Sequence, residues 1–237
     1  MEKRAVNRSK RSAKQCDLHT CFMCRNCLPE WNGFIGENRK NILLKKGETI
    51  FKEGDPVAGI FFLHSGKVKV HKRWNDEREL IIRFVQKGDI LGHRGLGSHA
   101  TYPVSATTLE ETLLCYVDSE FFQASLKMNQ GLTYELMLFY ADELQDAEQR
   151  MRDLVHMDTR GRIADALLMM RSQFGCDKKG FIQLNLTRQE LSSFVGTTYE
   201  TVFRIIRQLV DDKIIVVKGK NIKIQNEKTL RSYMLPA

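Results

Sequence analysis

The chain of 237 residues contains no apolar run near the 18 or more residues that a membrane-spanning helix needs, so a membrane protein is not expected. Lys3, Arg4, Arg8, Lys10, Arg11 and Lys14 crowd the N-terminus with no apolar core behind them. A secretory signal is therefore not expected, and a cytoplasmic protein is. There is no Ser-His-Asp pattern, no phosphate-binding P-loop and no HExxH, so nothing in the sequence points to catalysis. A disulfide framework is also a poor reading of the six cysteines, because four of them lie between Cys16 and Cys27. Such crowding in a cytosolic chain points to metal or redox chemistry.

The composition is ordinary for a globular protein, 42% apolar and 28% charged, but the charge is unevenly placed. Residues 1–40 carry nine Lys and Arg against four Asp and Glu, residues 41–158 fourteen against eighteen, and residues 159–237 fourteen against seven. A basic C-terminal third beside an acidic middle fits a polyanionic partner, most simply nucleic acid.

The longest regular pattern runs from about Asn129 to His156. Met137, Tyr140, Leu144, Ala147, Met151 and Leu154 alternate spacings of three and four, the stripe of a coiled-coil seam. No Pro or Gly follows Gly131 in this stretch. The reading is a parallel dimer helix; the competing one is a helix packed on its own domain's core. Glu143 and Glu148 flank the seam, where like charges would make pairing conditional.

The N-terminal region, residues 1–30, is a basic arm followed by Cys16-Asp-Leu-His-Thr-Cys21-Phe-Met-Cys24-Arg-Asn-Cys27-Leu-Pro29. Thiols two residues apart can converge from one tight loop on an iron–sulfur cluster. They also suit zinc, with four thiolates or with three and an imidazole from His19. Residues 31–128 read as a β-rich domain, with short apolar runs at Ile42 to Leu44, Ile60 to Leu63, Val68 to Val70, Leu80 to Val85 and Leu113 to Val117, divided by glycine turns. Asp118 marks a helix start. Cys176, after Gly175, reads as structural.

Past the long helix (residues 129–157), residues 158–237 form a third pattern. Asp158 or Thr159 caps a helix with Ile163, Ala166, Leu167 and Met170 inward, and Gly175 ends it. Ile182, Leu184 and Leu186 alternate with polar residues, which predicts a short strand. Thr187-Arg188-Gln189-Glu190 is a capping box. Its helix runs to Gly196, and Thr197 and Thr198 open a second helix with Val202, Ile205, Ile206 and Leu209 inward. Helix, glycine turn and helix predict a helix-turn-helix. Ile214 to Val217 and Ile222 to Ile224 flank Lys218-Gly219-Lys220-Asn221 as a basic hairpin, a wing over the phosphate backbone. Arg204 can read guanine and Glu200 can accept from cytosine, at i and i+4 on one face. Thr187, Arg188, Thr201 and Lys218 are phosphate-contact candidates.

Several runs together resemble the CRP/FNR superfamily of bacterial transcription regulators. They are Lys46-Gly47-Glu48-Thr49-Ile50-Phe51-Lys52-Glu53-Gly54-Asp55, Phe62 to Val68, Gly88-Asp89-Ile90-Leu91-Gly92 and the winged segment Thr187 to Ile224. The resemblance implies an α+β fold. Its parts are an N-terminal double-stranded β-helix (jelly roll) sensor, a long dimerisation helix and a C-terminal winged helix-turn-helix. It also implies a homodimer on a palindromic double-stranded DNA site, with RNA polymerase as a partner. It matches Glu200 and Arg204 to base-reading residues, while Tyr199 and Phe203 depart from the family's usual residues. An aromatic side chain at Phe203 would reach a thymine methyl.

The cysteines resemble the FNR branch, whose members hold an oxygen-labile [4Fe–4S] cluster on an N-terminal cysteine set and one late cysteine of the roll. That implies Cys21, Cys24, Cys27 and Cys115, with Cys16 as an alternative ligand. The final C-x2-C spacing is tighter than the best-known pattern. Alternatives stay open. One is a structural zinc with a small-molecule effector, a cyclic nucleotide or haem, in the roll. There Tyr102-Pro103-Val104-Ser105-Ala106 stands in place of the phosphate-binding Arg-Ser pair, and Arg94 could substitute for that Arg. His64, His71, His93 and His99 read as surface or turn residues rather than haem ligands. Another is an iron–sulfur redox carrier, which leaves the winged segment without a role.

Overall fold

The protein is described by a computed structural model covering residues 17–75 and 78–234. It divides into two compact units. One takes in the chain up to Ala141 apart from residues 78–80; the other takes in those three residues and the chain from Asp142 onward.

In the first unit, β1 (Lys40–Leu44), β2 (Thr49–Phe51), β3 (Gly59–Ser65), β4 (Val68–Arg73), β5 (Glu79–Val85), β6 (Ile90–Leu91), β7 (Ser105–Thr108) and β8 (Thr112–Asp118) make two four-stranded sheets. Their orders are β1-β8-β3-β6 and β2-β7-β4-β5, so the chain passes repeatedly from one sheet to the other, as a double-stranded β-helix requires. The expected strands are present. Additional ones at β2, β6 and β7 are two to four residues long, too short to show an alternation.

Strand alternation sorts the side chains of the first sheet into two cores. Ile42, Phe61, Leu63, Leu91, Leu114 and Tyr116 point into the roll, against Phe51, Val68, Val70, Val85 and Ala106. Ile60, Phe62, Ile90, Cys115 and Val117 point the other way. They are covered by α1 (Phe22–Asn26), α2 (Trp31–Asn38), α3 (Ser119–Met128) and the start of α4 (Gln130–His156), through Phe22, Met23, Cys24, Ile35, Phe122, Leu132 and Leu136. Asp118 caps α3, accepting from Phe121 N at 2.8 Å. Gly59 in β3 has no room for a side chain, since a Cβ there would stand 2.2 Å from Val117 O.

The second unit holds the later turns of α4, α5 (Thr159–Phe174), α6 (Arg188–Val195), α7 (Tyr199–Asp211), the hairpin β9 (Ile215–Lys218) and β10 (Asn221–Ile224), and α8 (Glu227–Ser232). Its core includes Ile163, Leu167, Leu191, Val202, Ile205, Ile206, Leu209 and Leu230. Asp158 caps α5, accepting from Gly161 N at 2.6 Å, and Gly175 ends the helix with φ +69°. Thr187 and Glu190 form the expected capping box, Gly196 takes the left-handed turn at φ +68°, and Thr198 caps α7.

Three expectations are corrected. Ile182, Leu184 and Leu186 are buried as their alternation implies but form no strand. Ile182 makes one bridge to Cys176 and donates its N–H to Ile222 O at 2.9 Å, and the segment then runs on without a ladder. Cys176, read as structural, is exposed. His71 and His93 are 2% and 3% exposed rather than on the surface. His71 Nε2 lies 2.9 Å from Thr107 Oγ1, and the His93 ring packs on Phe139 and Tyr140.

Candidate thiol site and nucleic-acid interface

The cysteine segment is not an irregular loop: Cys21 and Cys27 are the caps of α1, and Cys24 sits on its buried side. Phe22 and Met23, both buried, explain the helix, because a single turn lets them and Cys24 dip together into the apolar cluster. The segment is pinned at both ends. Asp17 pairs with Lys87 at 2.6 Å, and Phe22 N donates to Gly88 O at 2.9 Å. Lys87 holds the Asp17 carboxyl well below the usual carboxylate range. At the far end Leu28 N donates to Asn129 Oδ1 at 2.8 Å and Trp31 Nε1 donates to Ser125 Oγ at 2.9 Å. Asn129, 1% exposed, immediately precedes α4.

Fold and strand register thus bring Cys24 and Cys115 into one apolar cluster with Leu132 and Leu136 of α4, with Cys21 and Cys27 half-buried against it. Cys115 faces Asn41 on β1 and Phe62 on β3. Burial pushes the Cys27 thiol up to about 12, with the charge of Cys21 adding to it. A small cleft of about 20 Å³ opens beside Cys21 and Cys115, edged by Asp17, Arg39, His64 and Lys87. Among the described residues, no three His, Cys, Asp or Glu are placed to hold one metal ion. The donor set fits a thiolate-ligated group in kind, while its placement is that of a helix packed on the apolar cluster through Cys24. Cys16 lies outside the described residues.

A second, smaller cleft of about 10 Å³ lies by the roll, lined by Phe51, Val70, Arg83, His93, Arg94 and Tyr102 among others. Tyr102 is 3% exposed, its ring stacked on Phe51 at 4.2 Å and its hydroxyl donating to Gly59 O at 2.7 Å.

The seam residues of α4 meet different environments. Met137, Leu144 and Met151 are 55%, 60% and 59% exposed, and Ala147 is exposed with them. Tyr140 donates its hydroxyl to His93 O at 2.5 Å, and Leu154 is half-buried. Leu132, Leu136 and Phe139 instead pack on the first unit's core. The core-packing reading therefore holds for one face of the helix, while Met137, Leu144, Ala147 and Met151 stand exposed on another.

In the second unit, α7 presents Tyr199, Glu200, Phe203 and Arg204 on its exposed side, with Thr201 half-buried at the edge. No ion pair joins Glu200 to Arg204 among the described residues. Arg188 opens α6, half-buried, and burial lowers its pKa. Thr187 spends its hydroxyl within the capping box, donating to Glu190 Oε2 at 2.9 Å and accepting from Glu190 N at 3.0 Å. Lys218, at the wing tip, lies 5.9 Å over the Phe181 ring. Sequence reasoning missed Arg207, exposed one turn after Phe203 and Arg204, although its i+4 spacing from Phe203 was legible. It also missed how the reader is braced. The Arg150 guanidinium stacks 4.3 Å over Phe194 and donates to Phe194 O, and Arg162 donates to Val195 O at 3.0 Å and Met157 O at 2.8 Å. Burial lowers Arg150 to about 10, while the nearby Asp165 opposes the shift.

Residues 42–129 match the cyclic nucleotide-binding domain family, and residues 161–233 match the Crp-like helix-turn-helix domain family. The chain belongs to the CRP/FNR family of transcription regulators. Among curated CRP/FNR relatives it is 25% identical to the fumarate and nitrate reduction regulatory protein of Escherichia coli K12, over 97% of this chain and 94% of that one. It is 27% identical to a CRP-like cAMP-activated global transcriptional regulator of Mycobacterium tuberculosis, over 78% of this chain and 84% of that one. In structure it resembles FixK2 of Bradyrhizobium japonicum with TM-score 0.75 and 25% identity, covering 84% of this chain and 98% of that one. These relatives are regulators rather than enzymes, and α6 and α7 are the DNA-binding helices of a CRP/FNR protein. Among the described residues no helix is long and apolar enough to cross a membrane.

Proposed function

We propose that this CRP/FNR regulator is a cytoplasmic homodimer that senses oxygen, nitric oxide or redox state through a [4Fe–4S] cluster on Cys21, Cys24, Cys27 and Cys115. The observation that carries the reading is the placement of Cys24 and Cys115 in one apolar cluster with Leu132 and Leu136 of α4, with Cys21 and Cys27 packed against it. The resemblance of the cysteine pattern to the FNR branch supports it. A bound cluster supplies reactivity toward oxygen and nitric oxide.

The chain's own part is mechanical and electrostatic. Cys27, at the C-terminal cap of α1, must give up the proton that burial holds on it, and α1 would have to shift if the thiols became ligands. Leu28 and Trp31 link that segment through Asn129 and Ser125 to the foot of α4. A change in α1 therefore bears on the exposed Met137, Leu144 and Met151 stripe, where a second copy pairs. Glu148 beside that stripe opposes pairing when the helices are poorly aligned. The paired dimer sets two α7 helices into successive major grooves of a roughly palindromic site, about one helical turn apart. Arg204 and Glu200 read base edges, Arg188, Thr201 and Lys218 hold phosphates, and RNA polymerase is the downstream partner.

A second reading places the signal in the roll, with zinc at the thiols. The likeness to a cAMP-activated relative favours it, and Arg83 and Arg94 line the small cleft by the roll, which would have to widen to admit an effector.

One experiment separates the two. The protein is purified without oxygen, and its visible spectrum, iron, sulfide and zinc are measured before and after air, with DNA binding at each stage. Brown absorbance with matched iron and sulfide, bleaching in air together with DNA binding, is the expected result. Substituting Cys24→Ala removes it. A colourless protein with stoichiometric zinc, or DNA binding and a redox response that survive Cys24→Ala, refutes the cluster reading.

A further inference from the structure

The exposed side of α7 carries an apolar feature that hydrogen-bond reading does not use. Tyr199 and Phe203 are 44% and 51% exposed, although the opposite side of the same helix buries Val202, Ile205, Ile206 and Leu209. Their rings are stacked on each other, 6.2 Å between centroids and 19° between planes. They stand at i and i+4 in the first two turns after the Thr198 cap, each one residue before Glu200 and Arg204. One residue is a 100° step, so the ring pair forms a strip alongside the polar pair. Leaving two large rings in water is unfavourable, and a purely polar reading face has no need of them.

The N-terminal turns of a reader helix are those that face base edges in the major groove. The apolar group that base edges offer there is the C5 methyl of thymine. A stacked pair suits such a target, because each ring has only two side-chain torsions and the neighbour already restrains them.

We propose that Tyr199 and Phe203 act as one methyl-reading platform. It contacts the C5 methyl of a pyrimidine next to the base pair read by Glu200 and Arg204. The ligand is a methyl group on a base edge, so 5-methylcytosine is accepted at that step better than cytosine. This inference rests on α7 being the reader helix.

The test uses the full-length protein, purified without oxygen. An operator is first selected from random duplex DNA. Each thymine of one half-site is then replaced by deoxyuridine, which removes one methyl and no hydrogen-bonding group, and affinity is measured by fluorescence anisotropy. One position is expected to lose affinity by about four-fold, the effect of one buried methyl. Cytosine and 5-methylcytosine are then compared at that position, with tighter binding expected for the methylated base. Phe203→Ser and Tyr199→Ser, both surface changes checked by thermal unfolding, abolish the deoxyuridine effect while sensitivity to the Arg204-dependent base pair remains. Affinity indifferent to deoxyuridine at every position overturns the proposal. So does a deoxyuridine effect undiminished in both variants. Failure to select any operator strikes the reader role of α7 itself and the platform with it, which is a different result from selection without methyl sensitivity.

Discussion

At the scale of single residues, burial separates cysteines that look alike in the sequence. Cys24 and Cys115 are 5% and 7% exposed, whereas Cys176 is exposed. In metal-free protein, iodoacetamide at neutral pH should label Cys176 first and reach Cys24 and Cys115 only on unfolding, as read by peptide mass spectrometry. Cys27 adds a pH dependence. Its thiol is raised to about 12 in the folded chain. The protonated form is therefore favoured by folding, and that contribution is complete below the ordinary thiol range near about 8.5. It is lost as pH climbs from there toward 12, so the metal-free protein should lose stability in denaturant titrations on the alkaline side. In the reader, Arg204→Ala should weaken operator binding by about 10- to 100-fold and relax discrimination at one base pair. Lys218→Ala should weaken all sequences alike and reduce the salt slope by about one. Competition titrations against operator variants distinguish the two. Cys115 was legible as a candidate by resemblance, but from its own strand it reads equally as an inert apolar residue. Only the pairing of β8 with β1 and β3 turns it to the helix-covered face beside Cys24.

At the scale of elements, local signals were strong where local chemistry dictates structure. The caps Asp118, Asp158, Thr187 and Thr198 and the turn at Gly196 follow from side-chain acceptors and a left-handed φ, which need no partner elsewhere in the chain. Thr187→Ala should cost about 1 kcal/mol of stability, measured by urea denaturation, through loss of the capping box. Because its hydroxyl is already engaged twice, operator affinity of the folded variant tells whether it also meets a phosphate. The helix α1 was illegible for the converse reason. Five residues are too few to show a period, and its existence depends on Phe22, Met23 and Cys24 finding the sheet. The α4 stripe was legible as a period, but the period did not say which face a domain covers and which it leaves open. Leu144→Glu or Met151→Glu should leave the fold intact and abolish dimerisation, as read by light scattering after gel filtration, with operator binding falling in parallel.

For the whole molecule, net charge and its placement decide how the protein meets DNA. The basic third from residue 159, set apart by the acidic middle, favours polyanion binding at the reader, and the basic residues 1–40 add to it. Operator affinity should therefore fall steeply between about 50 and 200 mM salt, by about 10³-fold or more if six or more phosphates are neutralised. A shallow dependence would mean few phosphate contacts. The sequence by itself determined the order of the parts: β-rich domain, long helix, helix-turn-helix and wing. Those follow from periodicity, capping residues and turn chemistry, which act over a few residues. It also determined the basic reader with Glu200 and Arg204 four residues apart. The tertiary structure alone decided which distant residues share a site. Strand register brought Cys115 to Cys24, across nearly a hundred residues of chain. Asn129 tied the cysteine segment to the foot of α4, and Arg150 tied α4 to the last turn of α6. The physical reason is that such neighbours are set by how apolar faces pack when the chain closes on itself, and burial of that kind leaves no periodic mark along the sequence.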